Sequence, residues 1–445
     1  MNIKDKAKQF AIKAHQGQIR KNEPDKPMIM HPISVGMLLE GYGYDDEIVA
    51  AGYLHDVVED TKYTLEDLEK EFGSSIASYV QGASEPDKSL SWQERKTHTI
   101  NEIKNLPLKN KLVICADKIN NLEDLMLVFQ KSGIRNFSRF KAGEELQKWY
   151  YTNVYKSLIL NQNKDLAIFK KLKEVLDIVF YKKKDTYLEE IFINDMDYYK
   201  KLINLHSQKI ELQRLKAMCN LPKPFVIEFC GTPRTGKTTV LNNLYDFFTK
   251  GGFSVNLVKE FTTSSYYKTI LNPQMKNNSK TELNIAIIKE VEKQLYEAVS
   301  KKDEIILIDR SLNDRAIWNY RNFISNHMSE EQYKQVTEYY SKISKEMIDM
   351  LIINYTDSKT ALKRDYINSL ALEERKFLNI KNITEYNKSM EKLELIFKKS
   401  VDTVLKIDTT NITPRDTAVL IAEKVMPIMR KQYIKSFNEN INKNC

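Results

Sequence analysis

Residues 225–239 read FVIEFCGTPRTGKTT. The first six form a short apolar run of the kind that makes a strand buried on both faces, and the run ends in a loop satisfying G-x-x-x-x-G-K-[ST]. Gly231 and Gly236 let the backbone wrap and aim its N–H groups at phosphate oxygens. Lys237 supplies a cation for the terminal phosphates, and Thr238 a hydroxyl for Mg²⁺. The whole loop (Gly231, Thr232, Pro233, Arg234, Thr235, Gly236, Lys237, Thr238 and Thr239) is therefore expected to bind ATP with Mg²⁺, helped by the dipole of the helix that follows. A chance match is poor in this chain: it has 13 glycines in 445 residues, against a usual ~7%, and none after Gly252.

Working outward, SVNLVKE (254–260), EIILIDR (304–310), MLIINY (350–355) and VLKID (404–408) are further short apolar runs separated by helix-like stretches. That alternation predicts an α/β domain built on a parallel sheet. Upstream, Pro222 and Pro224 in LPKP mark a boundary. Before it, the apolar residues of AAGYLHDVVED and KLVICADKINNLEDLMLVF recur three and four apart, as in buried helical stripes. The expected organisation is an all-α domain over 1–180, a helical connector over 181–221, the α/β domain over 222–436 and a flexible tail over 437–445.

Composition narrows the partners. Lys+Arg 69 against Asp+Glu 60 gives +9. By region the balance is 26 to 26 in residues 1–180, 9 to 6 in 181–224 and 34 to 28 thereafter. The excess lies with the phosphate-loop half and its lead-in, which suits small phosphorylated ligands. No concentrated basic stripe with interleaved aromatics points to nucleic acid. Cys115, Cys219, Cys230 and Cys445 have no paired spacing, so neither a disulfide framework nor a zinc cluster is expected. No apolar run reaches the ~18 residues of a membrane span, and MNIKDKAKQF lacks a signal h-region. The expectation is a cytoplasmic protein with small-molecule nucleotides as partners; its oligomeric state is left open.

The first domain has its own chemistry. His31, the adjacent pair His55-Asp56 and Asp117 offer two imidazoles and two carboxylates, a mixed N/O set suited to Mn²⁺, Fe²⁺ or Zn²⁺ rather than Ca²⁺. Glu59 and Asp60 follow Asp56 at i+3 and i+4, which predicts one turn further along the same helix, on the same face. Carboxylates so placed can exchange protons with a metal-acidified water. Arg20 and Lys21 pair a flat guanidinium, able to stack on a base, with an ammonium suited to phosphate.

The segments AIKAHQGQIRK, HPISVGMLL, AAGYLHDVVEDT, EFGSSIASYVQGAS, SWQERK and ADKINNLEDL resemble, in order, the HD hydrolase domain of the RelA/SpoT-type alarmone enzymes, the small stand-alone hydrolases above all. The resemblance implies removal of the 3′-pyrophosphate of (p)ppGpp with Mn²⁺ held by His31, His55, Asp56 and Asp117. It also implies Glu59 and Asp60 as the acid/base pair, Arg20 and Lys21 against the base and its phosphates, and Asn121 on the sugar. The sequence departs from that pattern at Met28, Met30, Glu123 and Asn120, the last replacing a larger ring.

The later half resembles the thymidylate kinase and deoxynucleoside kinase group of P-loop kinases. That implies Glu260 facing the acceptor, Asp309 and Arg310 at the magnesium and the acceptor, and Arg364 and Arg375 as lid residues. IDTTNITPRDTA (407–418) would then be the donor-base loop. The leading expectation is a bifunctional nucleotide enzyme, a hydrolase joined to an ATP-dependent kinase. The alternatives are a phosphatase on another nucleotide such as NADPH, and a sensor in which ATP binding controls the HD domain.

Overall fold

The computed structural model of the chain describes residues 2–20, 23–82, 90–132, 137, 142–181, 195–369 and 378–443. It divides into two compact units, 1–220 with 433–445, and 221–432.

The first unit is helical, as expected, with one unforeseen element: a small antiparallel hairpin of β1 (Ile19–Arg20) and β2 (Glu23–Pro27). Its centre is the long helix Leu108–Ser132, whose Val113, Ala116, Ile119 and Leu122 are fully buried. The helices Met30–Gly41 and Asp46–Leu54 pack against each other and against that helix. Their approach depends on two glycines. A Cβ on Gly36 would stand 2.3 Å from the Tyr53 ring, and one on Gly52 would stand 2.6 Å from Leu39 Cδ1 and 3.2 Å from the Gly36 Cα.

Two expectations are corrected here. The helix carrying His55 stops at Leu54, and Glu59 and Asp60 lie on a separate turn, Val57–Asp60. The break falls at Asp56, whose φ −93° and ψ −6° belong to the bridge region. The connector is helical over Met196–Met218, and that helix packs on Met30–Gly41 and Leu108–Ser132. The tail read as flexible continues the final helix, Pro414–Lys443, with Phe437 5% exposed. Residues 182–194 of the connector lie outside the described residues.

The second unit is a parallel five-stranded sheet in the order β4–β5–β3–β6–β7, formed by β3 (Phe225–Gly231), β4 (Val255–Val258), β5 (Ile305–Asp309), β6 (Met350–Tyr355) and β7 (Thr403–Asp408). Every expected strand is present. Apolar side chains of β3, β5 and β6 are buried throughout, as a parallel sheet covered on both faces requires. The strands that follow β3 in sequence lie first on one side of it (β4, β5) and then on the other (β6, β7), so the carboxyl ends of β3 and its neighbours form the crevice where such sheets bind ligands.

Candidate functional site

In the first unit, His31 begins one helix, His55 ends another, and Asp117 comes from the central one. Donor atoms of these three buried residues lie within 4.8 Å of one another. The two Nε2 atoms are 3.2 Å apart, and Asp117 Oδ1 is 3.1 Å from His31 Nε2. Asp56 joins them, its oxygens 3.1 Å from His55 Nε2 and 3.7 Å from His31 Nε2.

The tautomers follow from the other ring atoms. His31 Nδ1 donates to Asn120 Oδ1 at 2.7 Å, and His55 Nδ1 donates to the Gly52 carbonyl at 2.9 Å. Both Nε2 lone pairs are thereby aimed into the same carboxylate-lined space, a donor set that fits one divalent metal ion with its ligands already oriented. Burial works to raise the Asp117 pKa, but the Lys118 ammonium at 2.6 Å and His31 more than offset it, holding the carboxyl well below the usual range.

Asn121, expected on a sugar, donates instead to Asp117 Oδ1. Arg20 pairs with Asp124 Oδ2 at 2.8 Å. Lys21 lies outside the described residues. Beside the cluster, Lys96 sits over the Tyr150 ring at 4.7 Å, and burial together with Lys118 lowers its pKa to about 8. Sequence reasoning gave no role to Asn120, Asp124, Lys96 or Lys118. The positions 117, 120, 121 and 124 share the i, i+3, i+4, i+7 face of one helix, a periodicity that was there to be read.

In the second unit the phosphate loop is formed without ligand. Gly231 (φ 120°), Arg234 (φ 62°) and Gly236 (φ 81°) take left-handed conformations that turn the backbone back on itself. At Gly231 a Cβ would stand 2.0 Å from the Asn354 carbonyl oxygen, so only glycine fits. Lys237 Nζ donates to the Gly231 and Thr232 carbonyls at 3.2 and 2.7 Å, and burial pushes its pKa down to about 7. Thr238 Oγ1 donates to Asp309 Oδ2 at 3.1 Å, while buried Asp309 Oδ1 has no hydrogen-bond partner. A hydroxyl beside an unsatisfied carboxylate oxygen suits Mg²⁺.

A cavity of about 1010 Å³ joins Pro233–Thr239 to Glu260, Asp309, Arg310 and Arg364, and to Thr410–Pro414 of the loop after β7. Arg310 (φ 60°) binds Asp314 at 2.7 Å and lies 3.5 Å from Glu260 Oε2. Arg364 Nη2 donates to the Thr409 carbonyl at 2.7 Å, and Arg234 Nε is 2.5 Å from Asp365. Arg375 lies outside the described residues.

Two buried groups escaped the sequence. Glu228 on β3 accepts from the backbone N–H groups of Ser311, Asn313 and Asp314, capping the helix Leu312–Ile324. Tyr386 donates to Asp314 at 2.9 Å.

Comparison with known proteins follows the same division. A family model described as "HD domain" matches residues 7–138. Guanosine-3′,5′-bis(diphosphate) 3′-pyrophosphohydrolase MESH1 of Danio rerio is 42% identical over 118 residues, 26% of this chain and 65% of that protein. The Drosophila melanogaster MESH1 is 39% identical over 121 residues, 27% of this chain and 67% of that protein. The chain thus spans about two thirds of the length of these curated relatives. A solved structure of deoxyadenosine kinase from M. mycoides with bound dATP aligns at 20% identity over 45% of this chain and 99% of that one, with a TM-score of 0.34. Through its amino-terminal unit, the chain belongs to the HD-domain family that includes the MESH1 proteins.

Proposed function

We propose that the amino-terminal unit is a metal-dependent phosphohydrolase for nucleotides of the guanosine-3′,5′-bis(diphosphate) class. We propose further that the carboxy-terminal unit transfers a phosphoryl group from ATP to a nucleoside or nucleotide. The observation that carries the first reading is the convergence of the His31 and His55 Nε2 atoms, 3.2 Å apart, with Asp117. A divalent ion such as Mn²⁺ held by His31, His55, Asp56 and Asp117 supplies acidification of water at the scissile phosphate. The chain does the rest. Glu59 and Asp60, on the turn directly after Asp56, take up and return the proton. Arg20, Lys21 and Lys96 bring positive charge to the polyphosphate, and Asn121 holds Asp117 in place.

In the second unit Thr238 and Asp309 hold Mg²⁺ with ATP, which neutralises phosphate charge during transfer. Lys237 leaves its loop carbonyls for the terminal phosphates. Glu260 faces the acceptor beside Arg310; a carboxylate there suits a hydroxyl, whose proton it can accept, better than a second phosphate. Arg364, tied to the loop after β7, closes the donor end, with Arg375 as a further lid residue.

The test uses the full chain with Mn²⁺ against guanosine-3′,5′-bis(diphosphate) and NADPH, and with Mg-ATP against a panel of nucleosides and nucleoside monophosphates. Hydrolysis that disappears in Asp117→Ala and survives Lys237→Ala supports the first reading; hydrolysis unchanged in Asp117→Ala sinks it. Phosphoryl transfer should disappear in Lys237→Ala alone.

A further inference from the structure

The helix Met196–Met218 lies beyond residues 7–138 of the HD match, yet it sends a charge into that domain. Arg214 Nη1 donates to Asp124 Oδ1 at 2.9 Å, across 90 residues of sequence. Asp124 Oδ2 accepts from Arg20 Nη1 at 2.8 Å. The three side chains are 13%, 18% and 20% exposed, so the triad is largely withdrawn from water. We propose that Arg214 is a positioning residue for Arg20, fixing it for the polyanionic nucleotide of the amino-terminal site.

Charge and conformational freedom both call for the second arginine. Were Arg20 the sole partner of Asp124, the pair would be neutral, and Arg20 would offer little to a polyanion. With Arg214 on the second oxygen the triad carries one net positive charge, and one carboxylate orients both guanidiniums. Burial works against the charge on Asp124, but Arg214 and Arg20 more than offset it and hold the carboxyl well below the usual range, so the anchor stays ionised. Arg20 needs such an anchor, because it ends a two-residue strand and a mobile arginine loses rotamer entropy when fixed. Asp124 stands on the same helix face as Asp117 and Asn121, about two turns after the first and about one turn after the second. The metal ligand and the Arg20 anchor thus share one rigid support.

The inference rests on the hydrolase reading above, and its test separates the two. Full-length wild type, R214Q, R214K and R214M are assayed with Mn²⁺ on guanosine-3′,5′-bis(diphosphate) and NADPH. Mn²⁺ affinity is measured in parallel by calorimetry. The expected result is a KM raised about tenfold in R214Q, with kcat within about twofold and Mn²⁺ affinity unchanged. R214K, which restores the charge, should recover most of the KM. R214M keeps the aliphatic stem and replaces R214Q if that variant fails to fold. A wild-type KM in both charge-removing variants overturns the positioning role while leaving the hydrolase reading intact. So does a joint loss of kcat and Mn²⁺ affinity that R214K does not repair. A wild type that hydrolyses neither nucleotide overturns the hydrolase reading, and the role of Arg214 with it.

Discussion

The Nε2 atoms of His31 and His55 face each other across 3.2 Å, each ring held from behind by an acceptor at Nδ1. Two lone pairs cannot stay that close without a cation between them or a proton on one of them. For His55 the acceptor is a backbone carbonyl, which substitution leaves in place. For His31 it is the Asn120 side chain, 3% exposed. Asn120→Ala should therefore weaken Mn²⁺ binding by about 10–100-fold, while Asn120→Asp, which keeps an acceptor, should preserve it. Calorimetric Mn²⁺ titration decides; equal affinities in wild type and Asn120→Ala would show that the ring needs no such support.

The same two histidines meet because their helices meet, and that contact runs through Gly36 and Gly52. Tyr53, against which a Gly36 Cβ would collide, is 3% exposed and has no room to swing away. Gly36→Ala should cost about 1–3 kcal/mol of stability by overpacking. It should also lower Mn²⁺ affinity, because the helices carrying His31 and His55 are forced apart. Thermal unfolding and metal titration on one preparation check both; loss of stability with intact metal binding would mean that the helix contact does not set the site.

What the sequence made legible was local. The phosphate loop, the five strands and the His55-Asp56 pair each reveal themselves within a dozen residues, because backbone turns and strand burial leave compact patterns. The corrections also have local causes. The spacing predicts Glu59 and Asp60 on the helix of His55 because nothing in YLHDVVED marks the bridge-region turn at Asp56. Asn120 registered only as a departure from a family pattern, its value as a histidine partner depending on a contact 89 residues away. The pairing of Asp124 with Arg20 and Arg214, and the capping of a helix by Glu228, likewise join distant positions through tertiary packing. Single residues of ordinary type carry no mark of such partners.

One side chain from outside the phosphate loop holds its buried Thr232 hydroxyl. Thr232 Oγ1 donates to Asn387 Oδ1 at 2.6 Å, and Asn387 Nδ2 donates to the Thr356 carbonyl at 2.9 Å. Thr232 is fully buried, so removing its partner strands a polar group. Asn387→Ala should cost about 1–3 kcal/mol and weaken binding of a fluorescent ATP analogue. Asn387→Asp restores the acceptor for Thr232 and should recover part of the affinity. An unchanged dissociation constant in Asn387→Ala would show that the loop holds its shape alone.

Glu228 gives the second unit a pH dependence of definite sign. Fully buried on β3, it has its pKa raised by desolvation from 4.5 to about 7, the Asn313 side chain and the capped N–H groups offsetting only part of the burial. The folded state therefore holds this proton more tightly than the unfolded chain does. The stability that follows is fully present below pH 4.5 and is lost as pH rises through about 7. Between about pH 5 and about pH 8 the loss amounts to about 2–3 kcal/mol. Other groups titrate in the same window, so the contribution is read against Glu228→Gln, which cannot ionise. The variant should be the less stable protein at about pH 5, where an amide replaces a carboxyl that accepts from three backbone N–H groups. Its deficit should shrink by about 2–3 kcal/mol by about pH 8, followed by urea unfolding across the series. A deficit constant across that range would mean that Glu228 is already ionised at the acid end, its helix-capping bonds outweighing the burial.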